Sequence, residues 1–273
     1  MGDAFNVAEL FSGAGGLGLG IERVVRGART VVHVEREAFA CAVLATRMEE
    51  GRLASAPIWT DVRTFDGRPW RGVLDCLAFG SPCQDLSLAG KRAGLDGERS
   101  GLFFEGLRIA VESCVPLVFW ENVGGAGGSL HRVFDSFEAA GYSGKACSLR
   151  ASDVGASHER LRYFVLAHRA GAGLQGDARA QDRPWHERPA AERDGLPLAF
   201  PPGPADLAAW AAVLALRPDL APAEPKVSRV AYGFPAELVS TWADEIRIGG
   251  NACVPAQAAA AFAFLLNATG ASP

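Results

Sequence analysis

Between Phe5 and Arg169 the chain alternates short apolar runs with helical stretches, and no other feature constrains its fold as tightly. FNVAELF (5–11), TVVHVE (30–35), GVLDCLAF (72–79), VPLVFWENV (115–123) and RLRYFVLAHR (160–169) read as strands, with a shorter one ahead of Asp61. Helices are expected over 16–26, 38–49 and 101–113, and another closes in SFEAAGY. Strands that are apolar almost throughout are buried on both faces, which calls for helices on both sides of a mostly parallel sheet. Ligands of such sheets bind at the C-terminal ends of the strands, so the loops there are where chemistry is expected.

After Ala170 the texture changes to Ala, Gly, Pro, Arg and Asp with little periodicity, broken by one amphipathic stretch, ADLAAWAAVLAL (205–216). This marks 1–169 as a large domain, 170–228 as a small insert or second unit, and 229–273 as a tail that packs back on the large domain. Lys+Arg 27 against Asp+Glu 31 gives a net charge of −4, which argues against a polybasic nucleic-acid binder but leaves room for a locally basic cleft. No apolar run approaches the length of a membrane span and the N-terminus has no signal-peptide layout, so no membrane is expected. Six scattered cysteines without a CxxC pair make a disulfide framework or a metal site unexpected, and a reducing cytoplasm fits them.

Four constellations carry the chemistry. FSGAGGLGLG (11–20) is a glycine-rich turn between a strand and a helix, able to let a ligand approach the backbone closely. Glu35, about twenty residues further on at a strand end, is placed to hold a ribose diol, and Asp61 to accept from an adenine amino group. The plain alternative is a tight turn with surface acids. Cys83 follows Pro82 at the end of an apolar run and precedes a polar, glycine-rich stretch, a setting that suits a thiolate nucleophile as well as an ordinary free thiol. The other five cysteines read as buried small hydrophobes. Glu121 ends a strongly apolar strand, so its carboxyl should be desolvated and its pKa raised, ready to hand a proton to a ring nitrogen unless it is simply solvated. Strand alternation puts Arg160 and Arg162 on one face, suited to phosphate or a base carbonyl, or else to an ordinary charged edge.

Taken in order, FSGAGGLGLG, HVE, TDV, GSPCQDLS, GERSGLFFEGLRI, ENV, HERLR and GNACVPAQA resemble the ordered motifs of the cytosine-C5 DNA methyltransferases, in the compact style of bacterial and phage members. The resemblance covers 5–168 and 226–268 and implies an α/β, Rossmann-like S-adenosylmethionine-dependent methyltransferase fold with a small target-recognition region at 170–228. It implies methyl transfer from S-adenosylmethionine to carbon 5 of a flipped-out cytosine in double-stranded DNA, by a monomer, through a covalent bond from Cys83 to C6. Glu121 then serves N3, Arg162 lies near the cytosine O2, and Arg160 supports the loop and phosphates. Phe11, Ser12, Gly13, Gly15, Gly16, Leu17, Glu35, Asp61, Pro82 and Asn251 match cofactor-site positions, and 84–99 matches a loop that closes over the base. His158 stands where the family usually has glutamine. An RNA cytosine-C5 methyltransferase shares this chemistry. A non-catalytic nucleotide-binding module would need neither Cys83 nor Glu121, and a nicotinamide dehydrogenase leaves SPCQ and ENV unexplained.

Overall fold

A computed structural model describes residues 4–81, 101–123, 130–156, 158–169, 211, 214–215 and 252–270. Among the described residues, seven strands form one sheet: β1 (Phe5–Leu10), β2 (Ala28–Val34), β3 (Ile58–Trp59), β4 (Cys76–Phe79), β5 (Leu117–Val123), β6 (Tyr142–Leu149) and β7 (Arg162–Arg169). Their order is β3-β2-β1-β4-β5-β7-β6. The first five run parallel, whereas β7 is antiparallel to both β5 and β6. A reversed strand wedged between two parallel ones sets this sheet apart from an all-parallel dinucleotide fold.

Alternation along each strand feeds two cores. Ala8, Leu10, Leu77, Phe79, Val118 and Trp120 face one way, covered by Phe103 and Leu107 of α3 (Gly101–Ser113) and by Val133 and Phe137 of α4 (Leu130–Ala139). Val7, Cys76, Ala78, Leu117 and Phe119 face the other way, covered by Leu17 and Ile21 of α1 (Gly16–Glu22) and by Ala258, Phe262 and Leu265 of α5 (Pro255–Thr269). The helix α2 (Ala38–Glu49) packs Ala40 and Val43 beside Ala14 of the glycine turn. Small residues let α5 come close to α1: a Cβ on Gly20 would lie 2.5 Å from Ala258 Cβ. Helix α5 is thereby packed against α1, β6 and β7.

Several local expectations give way to tertiary context. The helix expected over 16–26 stops at Glu22, because Ile21 O takes the amides of both Val24 and Val25 and tightens the last turn. The strand expected over 72–79 begins at Cys76, since residues 68–70 form a 3-10 turn and Gly72 is left-handed. β6 was not anticipated: YSGKACSL carries few apolar residues, and only its pairing along the whole of β7 makes it a strand. Arg160 lies outside the strand expected from 160, as β7 starts at Arg162. Of the cysteines, Cys76 and Cys147 are buried, while Cys41, Cys114 and Cys253 are partly exposed. Apart from 211, 214 and 215, the stretch 170–228 lies outside the described residues. Among the described residues no helix is long and apolar enough to cross a membrane.

Candidate active site

β1 stands where the sheet's crossovers change direction, with β2 on one side and β4 on the other, and the glycine turn leaves its C-terminal end. The turn is tight. Phe11, Gly13 and Gly15 all have positive φ, at 53°, 52° and 80°, and Gly15 N–H donates to Ser12 O at 2.7 Å. Ser12 donates its hydroxyl to Glu9 O at 2.7 Å, Gly13 N–H donates to Glu35 Oε2 at 2.7 Å, and Leu17 N–H donates to Glu9 Oε1 at 3.0 Å. A Cβ on Gly16 would lie 2.3 Å from Cys253 O, so the tail backbone closes directly on the turn.

Glu35 follows β2, buried, and its other oxygen accepts from Glu37 N–H at 2.8 Å. Each carboxylate oxygen thus receives one backbone hydrogen and keeps acceptor capacity for another, which two vicinal hydroxyls would satisfy. Glu35 N–H donates to Trp59 O, which brings Asp61, two residues beyond β3, to the same edge. Asp61 caps the 3-10 turn Val62–Thr64, accepting from Arg63 N–H at 3.0 Å. The residues of this edge therefore fit an adenosine-bearing cofactor: open backbone at Gly13, where a Cβ would meet nothing, and acids at the ends of β2 and β3.

Across the switch point, Glu121 sits near the end of β5 and Arg162 opens β7, both buried. Arg162 Nε lies 2.7 Å from Glu121 Oε1, an ion-pair contact whose N–H is not aimed as a directed hydrogen bond. Burial pushes the Glu121 carboxyl above the usual carboxylate range, and the charges of Arg162 and Arg160 pull against it. The other oxygen rests on the chain leaving β4, since a Cβ on Gly80 would lie 2.7 Å from Glu121 Oε2. Arg160 does not share a strand face with Arg162. Its φ of 32° turns the backbone left-handed, and its guanidinium donates to Ala252 O in the tail. Desolvation of the His158 ring, together with the charges of Arg160 and Arg162, holds it below the ordinary imidazole range. Pro82, Cys83, Asn251 and the loop 84–99 lie outside the described residues.

The structure brings forward residues that the sequence reading passed over. Glu9 was absorbed into an apolar strand, yet it sits beneath the glycine turn with its Oε2 3.5 Å from His33 Nδ1, both groups almost fully buried. Desolvation raises Glu9 to about 8, against the amides of Gly18 and Leu17, while burial lowers His33 to about 4. At neutral pH both are therefore uncharged. Arg47 of α2 donates to Ala14 O and clamps the turn from outside. A lone acid in an apolar run was the available signal for Glu9; nothing local marks Arg47.

The family model for C-5 cytosine-specific DNA methylase matches residues 5–194. Type II methyltransferase M.Eco47II of Escherichia coli is 36% identical over 146 residues, 52% of this chain and 34% of that protein. Type II methyltransferase M.NgoMIV of Neisseria gonorrhoeae is 35% identical over 168 residues, 60% of this chain and 51% of that protein. The chain thus spans about half the length, or less, of these curated relatives. The solved structure of Spodoptera frugiperda DNMT2 superposes with a TM-score of 0.62 at 15% identity, covering 97% of this chain and 100% of that one. That likeness is one of fold.

Proposed function

The chain belongs to the C-5 cytosine-specific DNA methylase family, and from that premise we propose that it methylates carbon 5 of cytosine in double-stranded DNA. The observation that carries the reading is the buried Glu121–Arg162 pair at the C-terminal edge of the sheet, set against Gly80, three residues before Cys83. S-adenosylmethionine, when bound, supplies the methyl group on an electrophilic sulfonium. Glu35 and Asp61 are assigned its ribose and adenine ends, with Phe11, Ser12, Gly13, Gly15, Gly16 and Leu17 shaping the turn beneath it, and Pro82 and Asn251 completing the site.

Carbon 5 of cytosine is a poor nucleophile, and the residues remedy that. The Cys83 thiolate bonds to C6 while Glu121 gives a proton to N3, which moves the C5–C6 electron pair onto C5. After C5 is methylated, a base takes the C5 proton, its electron pair restores the C5–C6 double bond and expels the Cys83 thiolate, and N3 returns its proton to Glu121. Burial raises the proton affinity of Glu121, while Arg162 holds the carboxyl in place and tempers that rise. A cytosine stacked inside a duplex must be flipped out to meet these groups. Arg160 supports the wall of the site from the tail side. The protein acts as a cytoplasmic monomer, in keeping with free thiols at Cys41, Cys76, Cys114 and Cys253.

Duplex DNA containing 5-fluorocytosine tests the proposal, because fluorine at C5 cannot leave as a proton does and the bond to Cys83 persists. With S-adenosylmethionine present, a denaturation-resistant adduct is expected for the parent and none for Cys83→Ser. An adduct on another cysteine, or one formed with structured RNA and not with DNA, overturns the reading.

A further inference from the structure

Gln257 is fully buried on α5, among alanines, phenylalanine and leucines that fill the core without a polar atom. Its amide nitrogen donates to two backbone carbonyls, Leu149 O at 2.8 Å and Arg160 O at 3.0 Å. Leu149 ends β6 and pairs in register with Arg162, the first residue of β7. The two carbonyls therefore flank the mouth of the hairpin where Arg162 turns toward Glu121. Arg160, which supplies the second carbonyl, holds a left-handed backbone that an L side chain keeps only when its surroundings impose it. The hold is reciprocal, since Arg160 in turn donates to Ala252 O on the segment leading into α5.

A glutamine in this place is costly. Its Oε1 is buried and has no hydrogen-bond partner among the described residues, a penalty that leucine would avoid. What leucine could not do is bind both carbonyls. We propose that Gln257 is a positioning residue for the acid–arginine pair: by pinning the mouth of the hairpin it fixes the approach of Arg162 to Glu121. Without that pin the Arg160 segment relaxes toward ordinary backbone geometry and Arg162, two residues on, withdraws. Among the described residues, the ionisable groups that act on Glu121 from the packed elements are Arg160 and Arg162 at the entry to β7 and Cys253 ahead of α5. The arginines are the attractive ones, so their withdrawal leaves the burial of the carboxyl uncompensated.

Infrared titration of the full chain reads this directly. The protonated-carboxyl band of Glu121, identified by its loss in Glu121→Gln, is followed against pH in the parent and in Gln257→Leu. The midpoint is expected to rise by about one pH unit, tenfold in proton affinity, with the melting temperature changed by only a few degrees. Gln257→Asn, an amide one methylene too short to reach both carbonyls, should shift it in the same direction. An unchanged midpoint in either folded variant overturns the proposal, and so does loss of the fold in both, which would assign Gln257 to general stability. The titration needs no turnover, so it stands or falls apart from the methyl-transfer reading on which the catalytic consequence rests.

Discussion

Replacing Glu9 by glutamine should stabilise the protein by an amount that grows with pH. Glu9 lies on β1, inside the sheet between β2 and β4, 1% exposed, and burial raises its pKa from 4.5 to about 8. Nearby Glu22 and Glu35 push the same way, and the amides of Gly18 and Leu17 push back. Between those two values the unfolded chain releases this proton while the folded chain keeps it, so rising pH favours unfolding. Each pH unit in that window costs about 1.4 kcal/mol. From pH 5.5 to 7.5 the parent should therefore lose about 3 kcal/mol that Glu9→Gln does not. Glutamine keeps the shape and the acceptor for Leu17 N–H, so the packing beneath the turn is preserved. His33 works in the opposite sense, since a value lowered to about 4 removes stability only as pH falls below the ordinary 6.5. That contribution is common to both proteins and cancels in the difference. Urea unfolding of parent and variant at pH 5.5, 6.5 and 7.5 gives the comparison. A stability difference that stays flat across the three would refute a protonated Glu9 under the cofactor turn.

Two further outcomes concern the site itself. Glu35→Ala removes the acceptor for Gly13 N–H and Glu37 N–H as well as the partner assigned to the ribose, and should weaken S-adenosylmethionine by about 1–3 kcal/mol; calorimetry showing parent-like affinity contradicts that assignment. Glu121→Gln keeps the bulk of the side chain but has no carboxyl proton to give, so cofactor affinity should hold while single-turnover methylation of duplex DNA slows by about 100-fold or more. Methylation at the parent rate would remove Glu121 from the proton-transfer role.

The sequence by itself determined the alternation of strands and helices, the glycine turn after β1 and the acids at strand ends, because these are short-range facts. An apolar run buried on both faces, or a Gly at positive φ, is dictated by a few neighbouring residues. Even Glu121 was legible, since an acid closing VPLVFW has little choice but burial. What only the tertiary structure decided depends on chain segments far apart in sequence. β6 exists because β7 pairs with it, not because YSGKACSL prefers a strand. Arg160 and Arg162 looked equivalent by alternation, yet one meets Glu121 and the other turns back to the tail at Ala252. Glu9 and His33 are 24 positions apart and become a neutral buried pair only when β1 and β2 lie side by side, with Glu9 opposite His33. Gln257 reaches Leu149 and Arg160 across about a hundred residues, and no local pattern encodes a hydrogen bond made at that range.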